Sequence, residues 1–274
     1  MTEENFNAWS FDNSVSFYTE GRNKAEDLYE SEAAILLPIV PHIESVLDIG
    51  CAAGGFYEIF LELDPSISYT GVDTSRKMIA EAKTRYPKGD FHIGDGGPLP
   101  FETVSFDLVL CTSVLHHNPR YLEMITDFKR IARKYIIVDL PRLVTKPYSF
   151  DVSHSYMTLG ERFPIGSEQL DKTATKVPYV LANVQEMFNK VITRMGGQLS
   201  GLAVHGYFGS PHDTSVTIPI SPVIFTVALF VKGNNPCHYH LNVPEEAVIL
   251  VEQELSKINT TAVNSVEEIL KRTN

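Results

Sequence analysis

The chain has 274 residues, 43% hydrophobic and 21% charged, with a formal net charge of −11. This is the composition of an ordinary globular protein, one large domain with appendages, and its acidic balance argues against a broad phosphate-binding footprint, which needs clustered Lys and Arg. No apolar run approaches the roughly 20 residues of a membrane span, Met1–Ser10 is polar and acidic unlike a signal peptide, and three scattered cysteines (Cys51, Cys111, Cys237) argue for a reducing, cytoplasmic compartment over a disulfide framework.

Residues 1–22 set Phe6, Trp9, Phe11, Phe17 and Tyr18 among polar neighbours. That is the pattern of an arm docked on a core, or of a lid. Ala25–Leu37 reads as a helix ended by Pro38 and Pro41. A short buried strand over Ser45–Ile49 then enters a turn made only of Gly, Ala and Cys. Helical apolar spacing resumes at Phe56, Ile59, Phe60 and Leu63. A side-chain-poor turn between strand and helix lets a ligand approach backbone N–H groups closely. Several nucleotide-binding classes share that arrangement.

Ser68–Val72 is the second strand and is closed by Asp73. Ser75–Arg85 is a helix with Met78, Ile79 and Ala82 on one face. Asp90–Ile93 is a short third strand leaving through Gly94-Asp95-Gly96-Gly97. Phe106–Cys111 is almost continuously apolar, as a buried parallel strand is. Asn118-Pro119 opens a helix over Arg120–Ala132, and Tyr135–Asp139 is the fifth strand. This alternation specifies a doubly wound parallel sheet.

Between Leu140 and Pro178 the period is lost; such stretches are characteristically functional or disordered. Val184–Met195 is an amphipathic helix stopped by Gly196-Gly197. Leu199–Tyr207 and Val223–Val231 are two more strands. Their linker is too short and Pro-rich for a crossover helix, so they are expected to pair antiparallel. From Pro244 onward a helical tail is expected. Its stripe Val248, Val251, Leu255 and Ile258 predicts a homodimer contact or docking within the chain, and Ser265-x-x-Glu268 is a capping box. The expected organisation is an arm and helix at 1–44, a central domain at 45–234 with an insert at about 141–183, and a tail at 235–274.

Three acids follow parallel strands at regular intervals: Asp48, Asp73 and Asp95. In open α/β sheets ligands bind beyond the carboxyl ends of the strands. Asp73 lies 23 residues after Gly50, close to the spacing of about 20 at which an acid meets a ribose diol.

At these residues the chain resembles the class I S-adenosylmethionine-dependent methyltransferases. The resemblance covers roughly Ser45–Leu140. It is carried by Val46-Leu47-Asp48-Ile49-Gly50-Cys51-Ala52-Ala53-Gly54, by Gly71-Val72-Asp73 and Gly94-Asp95, and by Leu99-Pro100-Phe101 through Ser105-Phe106-Asp107-Leu108-Val109 to Val114-Leu115-His116-His117. The resemblance implies an α/β, Rossmann-like fold: a doubly wound, mostly parallel seven-stranded sheet with an antiparallel last strand, an irregular cap and C-terminal helices. It implies S-adenosyl-L-methionine as cofactor and S-adenosyl-L-homocysteine as product.

By the same resemblance, backbone at Gly50, Ala52 and Gly54 passes the methionyl part and Asp48 assists its amino group. Asp73 takes both ribose hydroxyls, Asp95 with the Gly96 backbone reads the adenine, and the carbonyl of Cys111 or Thr112 holds the methionyl ammonium. Ala52 departs from the family's middle glycine. Transfer to oxygen also needs a proton removed, and His117 or His116, just beyond strand four, are the candidate catalytic residues. His154, Tyr156, Met157, His205 and Tyr207 are candidates for an acceptor pocket. Cys237-His238-Tyr239-His240 has metal-ligand residue types but lacks the second ligand group of a zinc site, so no metal is expected. The expected partner is a small-molecule acceptor, with no nucleic acid and no membrane. Two alternatives stand beside this: a non-catalytic cofactor-binding module, and a nicotinamide-dependent oxidoreductase read from Gly50-x-Ala52-x-x-Gly55.

Overall fold

In the computed structural model, residues 9, 12–94, 96–160, 174–211, 215–234 and 236–273 are described. Phe6, Phe11 and Asp95 lie outside them. Helices α1 (Asp12–Glu20) and α2 (Glu30–Leu36) precede β1 (Ser45–Ile49). Strands and helices then alternate as α3 (Gly55–Leu63), β2 (Ser68–Asp73), α4 (Arg76–Arg85), β3 (Asp90–Ile93), β4 (Phe106–Cys111), α5 (Tyr121–Ile131) and β5 (Ala132–Asp139). The expected helix over Ala25–Leu37 is broken: one turn, Ala25–Asp27, is followed by α2, where the Glu32 carboxylate accepts from Tyr29 N–H at 3.0 Å and starts a new helix.

The segment after Leu140 expected to be irregular holds β6 (Arg142–Val144), β7 (Tyr156–Leu159), β8 (Thr175–Pro178) and β9 (Leu181–Asn183). These strands are only three or four residues long, too short to display a period of two. Helix α6 (Val184–Met195) starts on the Asn183 side chain, which accepts from Glu186 N–H, and stops at Gly196. Then come β10 (Leu199–Gly209), β11 (Val216–Thr217), β12 (Val223–Lys232), β13 (Cys237–Asn242), α7 (Glu245–Leu255), β14 (Thr260–Ala262) and α8 (Val266–Thr273).

The main sheet runs β14-β13-β10-β12-β5-β4-β1-β2-β3, with β6 and β9 attached beside β12. Along that path β12 alone is antiparallel to its neighbours β10 and β5, as expected for the last strand of a seven-stranded, mostly parallel sheet. Beyond those seven, β13 and β14 extend the edge in parallel to β10. Residues 235–274 therefore contribute strands as well as helices. In Cys237–Asn242 the apolar Cys237, Tyr239 and Leu241 alternate with His238, His240 and Asn242, the period of a half-buried strand, and those three pack on the core.

Successive β1 residues feed opposite faces of the sheet. Val46 packs with Ile35, Ile59, Ile79 and Ile269 from α2, α3, α4 and α8; Leu47 packs with Phe128, Phe188 and Val251 from α5, α6 and α7. The inward stripe of α7 is Ala247, Val251, Glu254 and Leu255, all buried within this chain. Ile258, expected on that stripe, lies past the end of the helix and is exposed. The face on which a homodimer expectation rested is thus largely covered intramolecularly. A second sheet, β11-β7-β8, closes a small core with Val144, Tyr179 and Val223. No helix among the described residues is long and apolar enough to cross a membrane.

Candidate active site

A cavity of about 1550 Å³ opens beyond the carboxyl ends of β1, β2, β4 and β5, where an open α/β sheet places its ligand. Its floor is the turn from β1 into α3. Gly50 and Gly54 have φ of +82° and +86°, a region glycine enters without strain. A Cβ at Gly50 would run into Val114 Cγ2, and one at Gly54 would press on Phe91 and Tyr86 at 3.0 Å. Ala52 also has positive φ, +46°. It is held there because its N–H donates to Asp73 Oδ2 at 3.0 Å, while Gly50 N–H donates to Val72 O at 2.7 Å. Gly50 and Ala52 line the cavity; Gly54 lies behind it, with Gly55 taking its place on the wall.

Asp73 ends β2 on the cavity wall. Its Oδ1 accepts from Ser75 N–H at 2.7 Å, and Ser75 Oγ in turn caps α4 by accepting from Met78 N–H. Burial raises its pKa against the backbone N–H groups that hold the carboxylate. The backbone N–H groups of Ser75, Ala52 and Thr74 all act on a carboxylate that has about four lone-pair sites, so accepting capacity remains.

Asp48, expected to assist the methionyl amino group by direct or water contacts, lies beneath the turn. It is only 1% exposed, is absent from the cavity wall, and accepts the Tyr69 hydroxyl beneath the turn. Burial, with Asp73 adding, pushes its pKa up to about 7 against the Tyr69 hydrogen bond. Alternation explains the displacement: Asp48 points sideways off a parallel strand instead of along its tip. Cys111 is likewise fully buried and off the wall, whereas Thr112 and Ser113 line it. Gly96 lines it too, with φ +74°.

His116 and His117, on the one-turn helix Leu115–His117 after β4, both line the cavity with ring centroids 4.1 Å apart. His117 Nδ1 lies 2.9 Å from Pro178 O. A carbonyl only accepts, so Nδ1 carries the proton and Nε2 is the lone-pair nitrogen. Burial, opposed by that hydrogen bond and assisted by Arg142, lowers its pKa to about 4. His116 Nε2 faces Arg142 Nη2 at 3.3 Å. Arg142 only donates, so the His116 proton sits on Nδ1. Burial, Arg142 and His117 hold the ring well below the usual histidine range. Trp9 from the arm meets the His117 ring edge at 4.9 Å.

Further residues not singled out from the sequence line the wall. Asp139 ends β5, 8% exposed, and its Oδ2 accepts from Ser113 N–H at 3.0 Å. Burial and Glu32 raise its pKa to about 6, against Arg142 and Arg22. Arg142 donates to Tyr179 Oη at 2.9 Å and lies 4.3 Å over the Phe225 ring. Arg22 pairs with buried Glu32 and covers the Phe56 ring. The signal that marked Asp73, an acid closing an apolar parallel strand, also marks Asp139. Of the expected pocket residues, Met157 and Tyr207 line the cavity. His154 is exposed against Asp151, Tyr156 lies under Lys176, and His205 lies beside His240 and Asn242 away from the wall.

The model of a methyltransferase domain family matches residues 47–138. A phthiotriol/phenolphthiotriol dimycocerosates methyltransferase of Mycobacterium ulcerans is 34% identical over 90 residues, 32% of this chain and 33% of that protein. A trans-aconitate 2-methyltransferase of Afipia carboxidovorans is 27% identical over 176 residues, 61% of each chain. The chain thus spans about a third of the length of the mycobacterial relative it matches. The solved structure of an S-adenosylmethionine-dependent methyltransferase from Clostridium acetobutylicum covers 76% of this chain and 94% of its own, at 14% identity and a TM-score of 0.49.

Proposed function

Starting from the membership of residues 47–138 in the methyltransferase domain family, we propose that this protein is a cytoplasmic enzyme moving a methyl group from S-adenosyl-L-methionine to the oxygen or nitrogen of a small-molecule acceptor. Asp73 carries the reading. It stands at the tip of β2 on the cavity wall beside the Gly50–Gly55 turn, its carboxylate held by backbone N–H groups and with accepting capacity left for a vicinal diol. The turn's surface toward the cavity is Gly50, Cys51, Ala52 and Gly55, so a flat or extended ligand meets mostly backbone there. Exposed Ile93, with Met78 and Leu99, gives an apolar bed for a base beyond Asp73. These features fit an adenosyl ligand.

When bound, the cofactor supplies a methyl on a positively charged sulfur, already activated toward a nucleophile. The protein's residues then have three tasks. Asp73, the turn and Gly96 hold the adenosyl part. Arg22, at the far end of the same turn, is the cation set to balance a methionyl carboxylate. Trp9, Met157, Tyr179 and Phe225 enclose the acceptor and exclude water, fixing it in line with the methyl. His117 receives a proton at Nε2 where the acceptor has one to lose; its low pKa keeps it neutral above pH 5. The methyltransferase match weighs against the nicotinamide reading; Asp73 alone does not, since a nicotinamide fold also sets an acid there.

Calorimetry tests the proposal. S-adenosylhomocysteine is expected to bind with micromolar affinity and NAD not at all. Asp73→Ala removes two charge-assisted hydrogen bonds and is expected to weaken S-adenosylhomocysteine about 100-fold. Binding of NAD alone, or equal binding to both forms of the protein, would sink the reading.

A further inference from the structure

Besides Thr226 Oγ1 on β12, two polar atoms on the wall beyond β4 and β5 are buried and have no hydrogen-bond partner among the described residues: Asp139 Oδ1 and His116 Nδ1. Both residues are more than nine-tenths buried. A buried polar group without a partner costs about 1–3 kcal/mol, so two on one cavity wall mark a place where something else completes the set. Arg142 ties them together. It lies 3.3 Å from His116 Nε2, follows Asp139 by three residues, and acts electrostatically on both groups.

The two atoms have opposite needs. Asp139 Oδ1 only accepts, and His116 Nδ1 carries the ring proton and donates. A carboxylate head would offer no hydrogen to Asp139 and would meet its charge. An ammonium head would offer nothing to His116 and would face Arg142. A hydroxyl donates once and accepts as well. The surroundings are apolar or aromatic: Trp9, Met157, Tyr179, Phe225. We propose that Asp139 and His116 form the polar subsite for the acceptor, and that the acceptor is an apolar or aromatic molecule bearing an uncharged hydroxyl head. This rests on the methyltransferase reading above and adds the chemical class of its second substrate.

Asp139→Asn gives a test that a merely structural role would not answer. Ser113 N–H needs an acceptor, so the amide oxygen stays there and the NH₂ turns to the cavity, converting an acceptor position into a donor. The wild-type and variant proteins, each saturated with S-adenosylhomocysteine, are titrated by calorimetry with 1-naphthol, 1-methoxynaphthalene, 1-naphthoate and 1-naphthylmethylammonium. Wild-type protein is expected to prefer 1-naphthol over each of the others by about tenfold or more. In the variant 1-naphthol weakens about tenfold, 1-naphthoate tightens, and S-adenosylhomocysteine stays within twofold. Three results overturn the proposal: no preference for 1-naphthol in the wild type, an unchanged ranking in the variant, or a loss of S-adenosylhomocysteine affinity in the variant. The last would assign Asp139 to the cofactor. Failure of the wild-type protein to bind S-adenosylhomocysteine strikes the methyltransferase reading itself and is seen before any naphthalene is added.

Discussion

Along the tips of β1 and β2 the cavity wall is largely backbone: Gly50, Ala52 and Gly55, fastened by Val72 O and the Asp73 carboxylate. Across from it, beyond β4 and β5, the wall is side chain: Trp9, His116, His117, Asp139, Arg142 and Tyr179, drawn from five separate stretches of sequence. The first wall is made by neighbours in the chain, within about one strand–turn–helix unit and the next strand. The second exists only once Trp9 of the arm, the turn after β4, the ends of β5 and β6, and the link from β8 to β9 have assembled. A wall of backbone reads one constant ligand part; a wall of side chains can be rebuilt around different acceptors without disturbing the turn.

Substitutions that separate the two walls can break or sharpen this contrast. Gly50→Val has the largest expected effect. It places a branched side chain at φ +82° and into Val114, and should cost about 4 kcal/mol of stability, summing strain and overpacking. Urea unfolding would measure that loss, and calorimetry should find no S-adenosylhomocysteine binding. Survival of both would mean the turn is not the cofactor wall.

Asp48→Asn comes next, with the opposite sign. The Asp48 carboxyl has its pKa raised from 3.8 to about 7, so the folded state holds its proton more tightly than the unfolded chain. Wild-type stability contributed by this group is therefore full below pH 4 and falls as pH rises toward 7. Asn still accepts from Tyr69 but carries no charge. The variant should be more stable at pH 8 by on the order of 3 kcal/mol, with the part of the pH slope due to Asp48 gone and the smaller part due to Asp139 kept. S-adenosylhomocysteine affinity should not move; a large drop would return Asp48 to the cofactor wall.

Trp9→Ala should act on the far wall alone. Removing the ring from the His117 edge is expected to weaken 1-naphthol about tenfold, roughly 1.4 kcal/mol, with S-adenosylhomocysteine within threefold. Equal losses for both ligands would show the arm serving the whole cavity.

The same contrast accounts for what the sequence disclosed. The strands β1 to β5, the turn, and the pairing of β10 with β12 were legible because each is a local pattern: an apolar run, a side-chain-poor turn, a linker too short to cross over. Asp73 was legible as an acid at a strand tip. Asp48 sits inside its strand and beneath the wall, and sequence spacing does not tell tip from flank. Arg142 and Tyr179 carried no signal, since β6 and the short strands after it have no period of their own. The edge strand β13 was missed for a different reason: Cys237, Tyr239 and Leu241 do alternate with His238, His240 and Asn242, but the metal-ligand residue types mask that period.

That edge has a consequence for how the molecule behaves in a crowd. A long, flat, unpaired margin on β10 would be a template for another chain's strand. Here β13 covers it, and the sheet finishes on β14, three residues of Thr-Thr-Ala too short to seed an intermolecular ribbon. The opposite margin, β3, carries Asp90 and His92, a polar hem that discourages stacking. Both ends of an eleven-stranded sheet are thus blunted against fibre growth.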